Sequence, residues 1–180
     1  MNYIIFDIEA TCWQLKNPNL VQEIIEIGAV KLNSFGEIEE SFNKFIKPII
    51  NPILSNYCVE LTNIKQETVN VAKTFNFVIE DFQNWIDIDD DNYLLCSWGS
   101  LDQKLLQSDC LYHRIDSDWT KHFINLKYQF HQIKKIKHPI GLYSVLDREG
   151  IIWKGQQHRA IYDAQNLAKL FQKYLDSWDY

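Results

Sequence analysis

Two carboxylates interrupt the apolar run Tyr3-Ile4-Ile5-Phe6-Asp7-Ile8-Glu9. They stand two positions apart, and successive side chains of a strand point to opposite faces, so Asp7 and Glu9 share one face. Like charges at the end of an apolar strand are costly if they are buried without compensation, so a cation or a basic partner is required nearby. The alternative is a strand that surfaces at its end and leaves both carboxylates solvated.

Two further segments carry groups of the same kind. In SWGSLD, residues 97 to 102, an apolar run gives way through Gly99 and Ser100 to a helical pattern. Ser100 is placed to cap that helix, and Asp102 falls in its first turn, where the helix dipole favours an acid. In HRAIYDAQNLAKL, residues 158 to 170, His158 precedes Asp163 by five positions. Five positions on one helix amount to about 140° of rotation. The two side chains therefore converge only if His158 lies on the loop or at the first turn. Ala160, Ala164 and Ala168 form a small-residue stripe that lets this last helix press against a sheet. Taken singly, Asp163 reads as a solvated helix acid and His158 as a surface or core histidine. Their shared location is the notable feature, because the carboxyl ends of strands form the ligand crevice of an open α/β sheet.

The elements that position these groups follow from periodicity. Residues 3 to 9, 24 to 33 and 39 to 47 read as strands, and Asn33-Ser34-Phe35-Gly36 supplies a turn after the second. Val71, Phe75, Val78, Ile79, Phe82 and Ile86 repeat at helical spacing, which predicts an amphipathic helix over 74–86. Residues 93 to 98 read as a buried strand. Helices are predicted over 100–112, 123–133, 141–149 and 160–176. Strands first, then strands mixed with helices, describe a sheet layered with helices.

Composition bounds the answer. The chain has 180 residues, 46% of them hydrophobic, enough for one domain over residues 1–180 and too apolar for a disordered chain. Its net charge of -6 excludes coating nucleic acid by bulk positive charge. That charge is polarised: residues 74 to 103 hold acids and no Lys or Arg, whereas 119 to 146 hold Lys121, Lys127, Lys134, Lys135 and Lys137 and no acid. Cys12, Cys58, Cys96 and Cys110 include no closely spaced pair, which argues against a zinc site. There is no basic leader and no run of the roughly 20 apolar residues that a membrane span needs. A reducing, cytoplasmic compartment is the expectation.

Together, FDIEATCW (residues 6 to 13), SWGSLD and HRAIYDAQNLAKL resemble the three motifs of the DEDDh 3′ to 5′ exonucleases, a branch of the ribonuclease-H-like fold. The likeness is to the Eri-like, histone-mRNA-exonuclease group. EIIEIGAVKLN (23 to 33), NPILSNYCVELTNIKQETV (51 to 69) and INLK (124 to 127) resemble its connecting segments, so the resemblance covers almost the whole chain. It implies an α/β fold with a mixed five-stranded sheet flanked by helices, forming a single exonuclease domain. It also implies that Asp7, Glu9, Asp102 and Asp163 hold two divalent cations, Mg²⁺ or Mn²⁺, and that His158 is the general base. Two cations about 3.5 to 4 Å apart suit in-line phosphoryl displacement, hard oxygen ligands suit Mg²⁺ and Mn²⁺, and histidines titrate near neutral pH.

The implied substrate is a single-stranded 3′ end, RNA favoured over DNA, degraded to nucleoside 5′-monophosphates. The 119–146 stretch with Lys154 and Arg159 is the expected basic groove. Two features depart from the family pattern. Leu101 stands where many relatives carry an aromatic residue, which leaves Trp98, Trp13 and Phe6 as candidate stacking surfaces, and the helical nucleic-acid-binding domain that some relatives append is not expected. Two rival functions are a non-catalytic regulatory protein on the nuclease fold and a DNA proofreading or repair exonuclease. A purely binding protein has no physical need for four converging carboxylates.

Overall fold

The first strand is apolar on both faces along most of its length, so it must lie inside a sheet covered on both sides. In the computed structural model, which describes residues 1–15 and 20–180, this strand is β1 (Asn2–Ala10). It is joined by β2 (Ile24–Leu32), β3 (Ile38–Phe45), β4 (Tyr93–Ser97) and β5 (Phe123–Asn125). The order across the mixed sheet is β3-β2-β1-β4-β5, with β1 central. The pairs β1–β2 and β2–β3 are antiparallel, and β1–β4 and β4–β5 are parallel. Seven α-helices flank the sheet among the described residues: α1 (Asn56–Thr62), α2 (Gln66–Asn70), α3 (Phe75–Ile86), α4 (Leu101–His113), α5 (Leu126–Lys134), α6 (Leu142–Arg148) and α7 (Ala160–Lys173).

Alternation along β1 divides the core. Ile4, Phe6 and Ile8 pack with Phe82 of α3 and Leu106 of α4 on one face. Tyr3 and Ile5 pack with Phe130 of α5, Leu146 of α6 and Phe171 of α7 on the other. A smaller cluster, Ile25, Cys58, Ile64 and Val69, seats α1 and α2 against β2. Each large aliphatic or aromatic side chain so buried contributes roughly 1.5–3 kcal/mol.

Most predicted elements form where periodicity places them, and two regions differ. The helix expected over 123–133 begins only at Leu126, because Phe123–Asn125 pair in parallel with Leu95, Cys96 and Ser97 as an edge strand. Asn125 ends that strand and caps α5 by accepting a hydrogen bond from the Tyr128 amide at 2.9 Å. Helices α1 and α2 have no periodic signal, being 7 and 5 residues long. Ser55 starts α1 by accepting from the Cys58 amide at 3.0 Å. All four cysteines are free, and Cys12, far from Cys58 in sequence, packs against the cluster that contains it. Among the described residues no helix is long and apolar enough to cross a membrane.

Candidate active site

Asp7 and Glu9 continue the Tyr3–Ile5 face of β1, the side covered by α7. Across the β1–β2 ladder Asp7 lies opposite Gly28 and Glu9 opposite Glu26, and the register shifts between Glu9 and Ala10. Gly28 explains how a helix comes so near two carboxylates. A Cβ at this position would collide with the backbone of Ala160 and Ile161, so only a residue without a side chain allows the first turn of α7 to settle on β2. Ala160, Ala164 and Ala168 are fully buried along the same contact, in keeping with their spacing.

This approach carries Asp163, in the first turn of α7, to the carboxylates of β1. His158 lies before the helix with a left-handed φ of 59°. That reversal removes the conflict a continuous helix would impose (about 100° per residue). One ligating atom from each of Glu9, His158 and Asp163 lies within 4.8 Å of the others. His158 is exposed, Glu9 is buried and Asp163 is intermediate.

Asp102 arrives from the other layer. It occupies the first turn of α4 and is buried. The Ser97 hydroxyl and the amides of Asp102 and Ile8 favour its charged form. Ser100 precedes α4 as expected, but its side chain makes no capping hydrogen bond. Asp102 stands in the helix-dipole position without that assistance.

The electrostatics identify these groups as one cluster. Burial, followed by repulsion from Asp102, Asp163, Glu9 and Glu26, holds Asp7 well above the usual carboxylate range. Burial and then Asp163 and Glu26 push Glu9 up to about 9. Burial raises Asp163 to about 7, with Glu26 and Asp102 adding to the effect, and burial raises Asp102 to about 6. A buried carboxylate oxygen, Asp163 Oδ1, has no hydrogen-bond partner among the described residues. Hard oxygen donors, mutual repulsion and an unpartnered oxygen together fit divalent cations of the Mg²⁺ or Mn²⁺ type.

Sequence reasoning missed a fifth carboxylate and its partner. Glu26 is fully buried within β2 and pairs with Arg159, whose Nη2 lies 3.0 Å from Glu26 Oε1. The available signal was an acid inside IIEIGAV, the same pattern that marks Asp7. Arg159 therefore turns inward and leaves the expected basic groove. Lys121 pairs with Asp118 at 2.7 Å and Lys134 with Glu149 at 3.0 Å, which reduces that groove further. Lys127 remains in a cleft with Trp98, Ser100, Tyr128, His131 and Leu101, the residue before Asp102.

The candidate stacking residues separate clearly. Phe6 is fully buried in the core and is excluded as a base platform. Trp98 packs 5.8 Å from the Phe130 ring but also borders that cleft, and Trp13 is half-buried. Leu101 is 61% exposed next to Asp102, so the departure from an aromatic residue lies at the cleft surface.

Comparison with known proteins places this chain among exonucleases. The model of the RNase_T family, described as exonuclease, matches residues 4–171. The human protein 3'-5' exoribonuclease 1 is 32% identical over 174 residues, covering 92% of this chain and 50% of that protein. This chain thus spans about half the length of that relative. The nuclease domain of 3'hExo, a DEDDh family member bound to rAMP, superposes with a TM-score of 0.91 at 31% identity, covering 97% of this chain and 92% of that one. A structure described as 3′-end-specific recognition of a histone mRNA stem-loop by 3′-exonuclease has a TM-score of 0.90 at 30% identity, covering 97% and 81%.

Proposed function

Because the chain belongs to the RNase_T exonuclease family, we propose that it is a single DEDDh exonuclease domain that hydrolyses single-stranded 3′ ends, RNA in preference to DNA, and releases nucleoside 5′-monophosphates. One observation carries this reading: Glu9 of β1, His158 ahead of α7 and Asp163 in its first turn each bring a ligating atom within 4.8 Å of the others, and Asp7 and Asp102 add their charges to that group. Asp7, Glu9, Asp102 and Asp163 would hold two divalent cations, with Mg²⁺ the proposed species. When bound, such a pair stabilises charge on the attacking and leaving oxygens of an in-line displacement.

The chain's own groups supply the rest. His158, exposed ahead of α7, accepts the proton of the attacking water, a role for which histidine is suited near neutral pH. Asp102, buried in the first turn of α4, holds its side of the site as the phosphate end enters. Lys127 and the aromatic walls of the adjoining cleft, Trp98 and Tyr128, offer charge and stacking area to the following nucleotides. Four free cysteines are consistent with a reducing compartment, which supports a cytoplasmic location.

The preference for RNA rests on the relatives named as exoribonucleases. It is tested by comparing kcat/KM on single-stranded RNA and DNA of the same sequence. RNA is expected to be favoured by about tenfold, the equivalent of about 1.4 kcal/mol or one hydrogen bond to a 2′-hydroxyl. Equal values, or an advantage for DNA, would reverse the assignment of substrate while leaving the reaction type intact.

A further inference from the structure

A fifth buried acid in a cluster of four is a liability unless it does something for the site. Glu26 sits directly across the ladder from Glu9, and its charge adds to the repulsion within the cluster. Its carboxylate is fully occupied by residues lying between His158 and Asp163. Arg159 Nε and Nη2 donate to it at 3.1 and 3.0 Å, and the Ala160 amide donates at 3.1 Å. The planar fork of arginine fixes orientation as well as charge in such a bidentate pair.

The same residue leads onward to the site. The Arg159 carbonyl accepts from the Tyr162 amide at 2.9 Å and from the Asp163 amide at 3.0 Å, starting the hydrogen-bond ladder of α7. Immediately before it, His158 adopts its left-handed φ of 59°. Between the two groups of the site there is thus one tethered peptide, held on β2 by a buried ion pair and placed where Gly28 leaves room. The guanidinium also lies 5.1 Å from the Phe45 ring centroid, which keeps it from swinging toward solvent.

We propose that the Arg159–Glu26 pair is a positioning clamp that sets the start of α7 and thereby the spacing of His158 and Asp163 against Glu9. This inference rests on the exonuclease reading for its kinetic effect. Neither residue touches substrate in this scheme; both act through their neighbours.

The test is steady-state hydrolysis of single-stranded RNA by the parent protein, Arg159→Gln and Arg159→Lys, well below each melting temperature and per folded molecule. Arg159→Gln is expected to lower kcat roughly 10- to 100-fold with KM changed by less than about threefold, the signature of misplaced groups. Arg159→Lys, which keeps the charge but not the fork, should fall between the two. A lowered melting temperature with kcat within about twofold of the parent would make the pair merely structural and overturn the proposal. Should Arg159→Gln fail to fold, Glu26→Gln replaces it, since it removes the charge but keeps an oxygen for the Ala160 amide; the same two outcomes decide. If the parent itself is inactive on RNA and DNA, the exonuclease reading fails, and the clamp is judged on the melting shift produced by Mg²⁺ or Mn²⁺. A smaller shift in the variant than in the parent sustains it, and an equal shift overturns it.

Discussion

His158→Ala is expected to lower turnover by about 10²- to 10⁴-fold, the usual contribution of a positioned proton acceptor. The effect should fall on kcat, because the side chain acts on the water and does not hold the strand. Its removal disturbs little else: the imidazole is exposed and lies outside α7. Mg²⁺ should therefore still raise the melting temperature of the variant nearly as much as that of the parent. Free imidazole has access to the emptied position and should restore part of the rate. The two measurements separate the alternative roles. Loss of both turnover and the Mg²⁺ effect would make His158 a ligand, since its ring nitrogen lies within 4.8 Å of a carboxylate oxygen of Glu9 and of Asp163, close enough for the three to share one ion. Near-normal turnover would remove it from the chemistry.

Asp7→Asn should have a comparable kinetic effect and a different thermal one. Asp7 is the most central charge, with Asp102, Asp163, Glu9 and Glu26 all acting on it. In the absence of divalent cations, Glu9 is raised from 4.5 to about 9, Asp163 from 3.8 to about 7 and Asp102 from 3.8 to about 6. The folded state thus binds protons more tightly than the unfolded chain. The associated stability is fully present below the ordinary carboxylate values and is lost as pH rises through about 6, 7 and 9. Metal-free protein should accordingly melt at progressively lower temperature from pH 5 to pH 9 (about one charged carboxylate more at each step).

Cations reverse that trend by giving the charged forms a partner. At a concentration about one hundred times its Kd, a ligand of the folded state alone adds about 2.7 kcal/mol. For a chain of this size that is about 5–11 °C in melting temperature. The gain should increase with pH, and Asp7→Asn should reduce it to about 1 °C or less while lowering turnover by about 10³-fold or more, roughly 4 kcal/mol of lost charge stabilisation. A full Mg²⁺ effect in the variant would show that Asp7 is not part of the cation site.

Several of these features are legible in the sequence alone. Asp7 and Glu9 share a face because strand periodicity is strict, and the alanine stripe of the last helix implies its close approach. His158 has to leave the helix for purely angular reasons. By contrast, Glu26 and Arg159 are separated by 133 positions, and no local pattern joins them. Arg159 reads as a groove cation because a sequence shows the sign of a charge but not the direction in which it turns. The edge strand β5 is hidden within a helical pattern since three residues carry no period of their own. Helices α1 and α2 are almost as short; their positions come from capping at Ser55 and burial of Cys58 and Val69. Phe6 is indistinguishable by type from a base-stacking residue, and only its place on the α3 and α4 face of β1 assigns it to the core.

The net charge of -6 no longer argues against a polyanionic substrate. Four of the acids belong to the proposed cation site, and Lys127 lies in the cleft beside it rather than being averaged over the molecule. The most direct test is incubation of folded protein with single-stranded RNA labelled at its 3′ end, in Mg²⁺, in Mn²⁺ and in excess chelator. Labelled nucleoside 5′-monophosphate should appear as the first product with either metal and vanish with chelator. Absence of release from RNA and from DNA with both metals, or internal fragments as the first products, would contradict a 3′ exonuclease built on these five residues.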